Sequence, residues 1–230
     1  MKKKSLVKKM AVMAMLSALA YVFVYVSHLL HLSIVPSVSF LTYDPKDIVI
    51  CIGGFIIGPL GAFIMSVVVS LLEMITFSTT GWYGLIMNIT STCFFVIPAA
   101  LIYKYKKSFR GALLSLFVGF VSELIVMTLW NIIITPVYMK NVLGMEFMTR
   151  SYLIQNFLGW IILFNIIKVG INIAMVLLLY KPIISALRGT RLIEKTSSKN
   201  SLKSTINMIA FGSFLLIVAI ITIILLKHFA

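Results

Sequence analysis

One apolar run, "GWIILFNIIKVGINIAMVLLLY" (159–180), carries Asn165, Lys168 and Asn172. The spacing i, i+3, i+7 places all three on one face of a helix. Two amides and an ammonium offer several donors to the carbonyls and ring nitrogens of a small molecule. Glu73, Asn88, Glu123 and Asn131 interrupt other apolar runs in the same way. Each such residue costs about a few kcal/mol in lipid, so the set must face a protein interior or a cavity. Two roles are open for Lys168: a ligand contact, or a charge partner for Glu73 or Glu123 that fixes helix packing. The asparagines could likewise bond between helices.

The chemistry in view is binding, not bond-making. The sequence holds no GxxxxGK[ST] phosphate loop, so it has no evident means of hydrolysing ATP. It shows no nucleophile–base set and no metal-ligand helix motif, so no enzyme activity, no cofactor and no metal site is expected. His28 and His31 stand i, i+3 near the end of an apolar run, which fits an interfacial helix end better than a metal site. Cys51 and Cys93 lie inside apolar segments without spaced Cys/His partners, which supports neither a disulfide nor zinc.

The elements that position these residues follow from composition. The 230 residues are 61% hydrophobic and 11% charged, roughly half the charged fraction usual in a soluble domain. Apolar runs near the ~20 residues that cross a bilayer recur along the chain. They fall at roughly 9–28, 47–58, 60–78, 84–103, 111–134, 153–180 and 207–226. The runs are continuous, which excludes a β-barrel and predicts an all-α membrane protein. The second is short, and "GPLG" (58–61) parts it from the third by a tight turn. The basic start resembles a signal peptide, but the apolar run continues to Leu30, so an uncleaved first span is expected.

Net charge +14 does not mean nucleic acid, because the basic residues sit between spans. The five lysines of residues 2–9, the four basic residues of 104–110 and the six of 181–203 share one side. Lys140, Arg150 and Lys227 share the other. The positive-inside rule puts the N-terminus in the cytoplasm. Two longer outer loops, 31–45 and 135–152, could then cover a pocket opening outward. The expected organisation is a six-helix core (1–187), a basic cytoplasmic linker (188–205) and an additional C-terminal transmembrane helix (206–230).

Six blocks stand in order over the core: "FLTYDPKDI" (40–48), "GGFIIGPLGAF" (53–63), "TGWYGLIMN" (80–88), "LWNIIITPVY" (129–138), "FNIIKVGIN" (164–172) and "LLLYKPI" (177–183). With them the chain resembles the membrane-embedded substrate-binding (S) components of energy-coupling factor (ECF) vitamin transporters, most closely the riboflavin-specific ones. The resemblance implies a multi-pass protein of a bacterial plasma membrane that captures a vitamin from outside under a loop lid. It implies docking on a transmembrane coupling subunit, driven by two ATP-binding subunits. Carried over, Asn165, Lys168 and Asn131 become ligand contacts, with Leu41 and Tyr43 from the lid. Glu73 and Asn88 join them as outward-lying polar residues of the third and fourth spans, and Asn172 is left to packing. Ala14 and Ala18 match the family's helix-one alanine motif for partner docking.

The chain departs from the flavin-type pattern in three places. Glu73 stands in "VVVSLLEMITF" where a Lys-Asn pair is usual, Leu163–Phe164 lacks the usual proline, and the seventh span is additional. One intramembrane cation is thin provision for a dianionic phosphate, which favours riboflavin over its phosphate. The alternatives are an S component for another vitamin or precursor, for which an amine-bearing ligand would suit Glu73, and an autonomous secondary transporter.

Overall fold

The computed structural model describes residues 2–190 and 202–229, and within them eight α-helices. They are α1 (Lys2–Leu29), α2 (Lys46–Ile57), α3 (Pro59–Thr76), α4 (Gly81–Tyr105), α5 (Phe109–Asn141), α6 (Arg150–Asn156), α7 (Leu158–Gly189) and α8 (Leu202–Phe229). A single 3-10 turn, Pro36–Val38, interrupts the loop between α1 and α2. Six helices are long and apolar enough to cross a membrane: α1, α3, α4, α5, α7 and α8. The protein is a multi-pass α-helical membrane protein.

Helix α2 is the exception that organises the rest. Its 12 residues rise only ~18 Å, too little to span alone. Every residue from Lys46 to Gly54 is buried, because α1, α3, α4 and α7 all pack against it. Its backbone therefore needs neither full bilayer length nor a lipid-facing surface. Gly58 ends it at φ 110°, a left-handed conformation that favours glycine, and Pro59 opens α3 at once. The chain thus reverses with no polar loop, at a turn that is only partly buried.

Helix α1 packs Val12, Leu16, Ala20 and Val24 into the main apolar core beside Ile48, Ile52, Met65 and Phe95. The first apolar run is thus an integral part of the core. A second apolar cluster lies at the end of the bundle that carries the 30–45 loop. There Ile34, Val35 and Val38 pack with Met139, Met148, Leu153, Ile161 and Phe164. The loop is held down as a cover by apolar contact.

Three expected boundaries shift. The run at 153–180 is two helices, broken at Phe157, and the longer one continues to Gly189. Thr149 caps α6 by accepting from the Tyr152 amide, so the polar stretch "TRSY" starts a short helix lying before the span. Helix α5 likewise runs on to Asn141, taking up the first part of the loop expected at 135–152. The expected linker falls mostly on 191–201, outside the described residues. Its described ends, 188–189 and 202–205, belong to α7 and α8. Helix α8 lies along α7, burying Met208, Gly212 and Ala219 at helical spacing.

Candidate functional site

A cavity of about 530 Å³ opens beneath the 30–45 loop, between α1, α3, α4, α5 and α7. Leu41, Tyr43, Glu73, Asn88, Asn131, Asn165 and Lys168 all line it. The sequence separates these residues by up to 127 positions; the bundle brings them to one void. Asn172 does not line it and is fully buried one turn deeper on the same face of α7. Apolar wall is supplied by Phe40, Phe77, Met87, Met127 and Phe164, which suits a flat ring held between faces.

Lys168 is where the polar wall is most tightly built. Its Nζ donates to Ser91 Oγ at 2.6 Å and to Glu123 Oε1 at 2.9 Å, and lies 3.4 Å from Asp47 Oδ2. Three partners match the three N–H bonds of an ammonium. Of the two acids that stood open as partners, Glu123 is the one used. Ser91 donates in turn to Glu123 Oε1 at 2.6 Å. Asp47 opens α2, where the helix N-terminus favours a carboxylate, and accepts from Thr92 at 2.6 Å and from Asn172 at 3.4 Å.

Glu73 belongs to a different group. Its Oε2 accepts from Lys46 at 2.8 Å and its Oε1 from Asn88 at 2.7 Å. Lys46 also bonds Asp44. Lys46 is fully buried, whereas Asp44 and Glu73 both reach the cavity. Four of the chain's six acids, Asp44, Asp47, Glu73 and Glu123, thus gather around this one site.

The two amides of α5 and α7 are oriented locally. Asn131 Nδ2 donates to the Met127 carbonyl at 2.8 Å and Asn165 Nδ2 to the Ile161 carbonyl at 2.9 Å. Thr135 donates to Asn131 Oδ1 at 3.0 Å. Each side chain is thereby fixed one turn back along its own helix while facing the void.

The cover is tied to this network. Tyr43 donates its hydroxyl to Asn172 Oδ1 at 2.9 Å, and its carbonyl accepts from Ser27 Oγ at 2.6 Å. Burial, with Asp47 and Asp44 nearby, raises the Tyr43 phenol above its ordinary range, so it remains a neutral donor. Tyr43→Phe leaves Asn172 Oδ1 buried without this donor, a loss of about 1–3 kcal/mol. The expected result is faster ligand release with the association rate little changed, measured by stopped-flow fluorescence. An unchanged release rate would detach the Tyr43 hydroxyl from lid closure.

Sequence reasoning missed Asp47, Lys46, Ser91 and Thr92. Lys46 and Asp47 sit at the edge of a short apolar run, and only the burial of α2 reveals them as interior charges. His28 and His31 line the cavity, but His28 packs on the Phe77 ring, centroids 4.6 Å apart. No group of three or more His, Cys, Asp or Glu suited to a metal ion occurs among the described residues.

Fold and site together define a class: an α-helical membrane protein with a small-molecule-sized, polar-lined cavity beneath a loop at one end of the bundle. The family model described as "ECF transporter, substrate-specific component" matches residues 8–180. The chain belongs to that family. It is 29% identical over 173 residues to the riboflavin transporter FmnP of Bacillus subtilis, covering 74% of this chain and 88% of that protein. It is 30% identical over 188 residues to the riboflavin transporter RibU of Staphylococcus aureus, covering 79% and 93%. A solved structure of the S component of a bacterial ECF transporter superposes with a TM-score of 0.62 at 25% identity, over 82% of this chain and 99% of that one.

Proposed function

We propose that this S component binds riboflavin in the cavity under the 30–45 loop and delivers it to an ECF coupling subunit served by two ATP-binding subunits. The observation that carries the reading is the wall formed by Asn131, Asn165 and Lys168 in a cavity of about 530 Å³, within the ~300–1,000 Å³ of small-molecule pockets. Two relatives named as riboflavin transporters support the choice of vitamin. The orientation is the one the basic residues favour, with the N-terminus cytoplasmic and the cavity opening outward.

The amides offer donors and acceptors to the carbonyl and nitrogen edge of the flavin ring, and the Phe and Met side chains take its faces. The donors of Lys168 are engaged by Ser91, Glu123 and Asp47, so a flavin bonding to this ammonium exchanges for one of them. Asp47 is the most distant, at 3.4 Å, and keeps Thr92 and Asn172 as donors when released. That exchange reaches Asn172 and, through it, Tyr43 of the cover. Ala14 and Ala18 are both exposed on α1, a small-residue face on which a partner helix can approach closely.

Purified protein titrated with riboflavin is expected to lose Trp fluorescence and to bind at micromolar concentration or tighter. No binding there overturns the vitamin assignment. Mild-detergent pull-down is expected to bring down a membrane subunit and two ATPases; uptake that survives loss of those ATPases would overturn the energy-coupling role.

A further inference from the structure

The cavity has two polar walls of opposite character, and they meet on α4. Asn88 bonds Glu73 and, one turn along, Ser91 bonds Glu123 and Lys168. Glu73 lies one turn before the end of α3, beside the mouth residues Ser78, Thr79 and Thr80. Lys168 lies ten residues into α7, which places the ammonium wall deeper and the carboxylate wall at the mouth.

At each wall the counter-charge sits behind. Lys46, fully buried, bridges Asp44 and Glu73 from the protein side, so the cavity meets the two carboxylates. At Lys168 the order is reversed: Glu123 and Asp47 are buried behind, and the cavity meets the ammonium. Carboxylate oxygens are acceptors only. Paired at a pocket mouth and held by a shared cation, they suit a chain of hydroxyl donors and oppose an incoming anion.

We propose that Asp44 and Glu73 are the specificity-determining residues of this site, selecting a ligand with a neutral polyhydroxyl tail and rejecting its phosphate ester. The assignment rests on the flavin reading above and sets the ligand's direction: ring deep against Asn165 and Lys168, polyol tail at the mouth. A phosphate on the end of that tail carries about −1.5 to −2 charges at pH 7 and meets two carboxylates there. Lys46, sequestered between those carboxylates, is not presented to it.

Three probes test this: riboflavin, flavin mononucleotide, and lumiflavin, whose ring lacks the polyol. Each is titrated against the intact chain and against Glu73→Gln and Asp44→Asn. Either variant leaves Lys46 one carboxylate partner, so both keep the interior charge paired. In the unaltered chain riboflavin is expected to bind about 100-fold tighter than either other probe. In each variant the gap between riboflavin and its phosphate ester is expected to narrow about tenfold, mostly through weaker loss of the ester. A gap unchanged in both variants overturns the proposal, as does lumiflavin binding as tightly as riboflavin. Failure of all three probes to bind overturns the flavin reading and this inference with it.

Discussion

Lys168→Met is expected to lower both the thermal stability of the protein and its affinity for riboflavin, and a second substitution separates the two losses. Methionine keeps the length and apolar stem of lysine but removes the ammonium. Glu123, with no exposure, then loses its cation, and Asp47 loses the nearer of its opposite charges in the bundle interior. Removing one member of a buried ion pair costs about 3–5 kcal/mol, because the partner remains buried and uncompensated. A fall of about 10 °C in detergent melting temperature follows at roughly 2–4 °C per kcal/mol. Loss of a charged donor to ligand corresponds to about 100-fold weaker binding.

The double variant Lys168→Met/Glu123→Gln removes both charges together. Asp47 keeps Thr92 and Asn172 as donors, so most of the stability is expected to return. Affinity is expected to stay low, because the cavity still lacks its ammonium. Recovery of binding with stability would make Lys168 a packing residue alone. A single variant as stable as the parent would mean that the buried carboxylates do not depend on it. Asn172→Ala, one turn deeper and off the cavity wall, is expected to weaken binding less than Lys168→Met.

The contrast between what could and could not be read from the chain lies in this same group. Asn165, Lys168 and Asn131 stand out because an amide or ammonium among Ile, Leu and Val has a cost that only an interior role offsets. Glu73 and Asn88 stand out for the same reason, and all five reach one cavity. Ser91 and Thr92 do not, since small hydroxyls are ordinary in transmembrane helices and satisfy themselves on their own backbone. Lys46 and Asp47 look like the polar edge of a span. Their burial depends on α2 sitting inside a ring of other helices, a tertiary fact without local signature. Partner choice has no local signature either: by sequence Glu73 and Glu123 are equivalent candidates for Lys168, and helix register alone sets Glu73 against Lys46 instead. The break at Phe157 follows Gln155 and Asn156, two amides within an otherwise apolar run, a signal too short to separate two helices from one interrupted span.

Gly119 shows how closely that register is held, and replacing it is expected to injure the site from one turn away. A Cβ at Gly119 would stand 2.3 Å from the Phe95 carbonyl oxygen and 3.1 Å from its ring. A backbone oxygen inside a helix cannot move aside as a flexible side chain can, so α4 and α5 must part. Glu123 lies four residues beyond Gly119, and Ser91 four residues before Phe95. The contact is therefore adjacent to the 2.6 Å bond from Ser91 to Glu123, and separating the helices stretches it. Overpacking a tight interface costs about 1–3 kcal/mol, so Gly119→Ala is expected to lower the melting temperature by several degrees and Gly119→Leu by more. Because Ser91 also orients Lys168, riboflavin affinity is expected to fall about tenfold in Gly119→Leu, one hydrogen bond's worth at the charged group. Gly170→Ala is the matched control: it lies in α7 two residues from Lys168, yet an added Cβ there meets nothing within 4 Å. It is expected to hold or raise stability, since alanine favours a helix interior by about 1 kcal/mol, and to leave binding intact. Equal losses in Gly119→Ala and Gly170→Ala would show that the close approach of α4 to α5 at Gly119 does not set the cost. A Gly119→Leu protein that binds as well as its parent would show that the Ser91–Glu123–Lys168 group tolerates movement of α4.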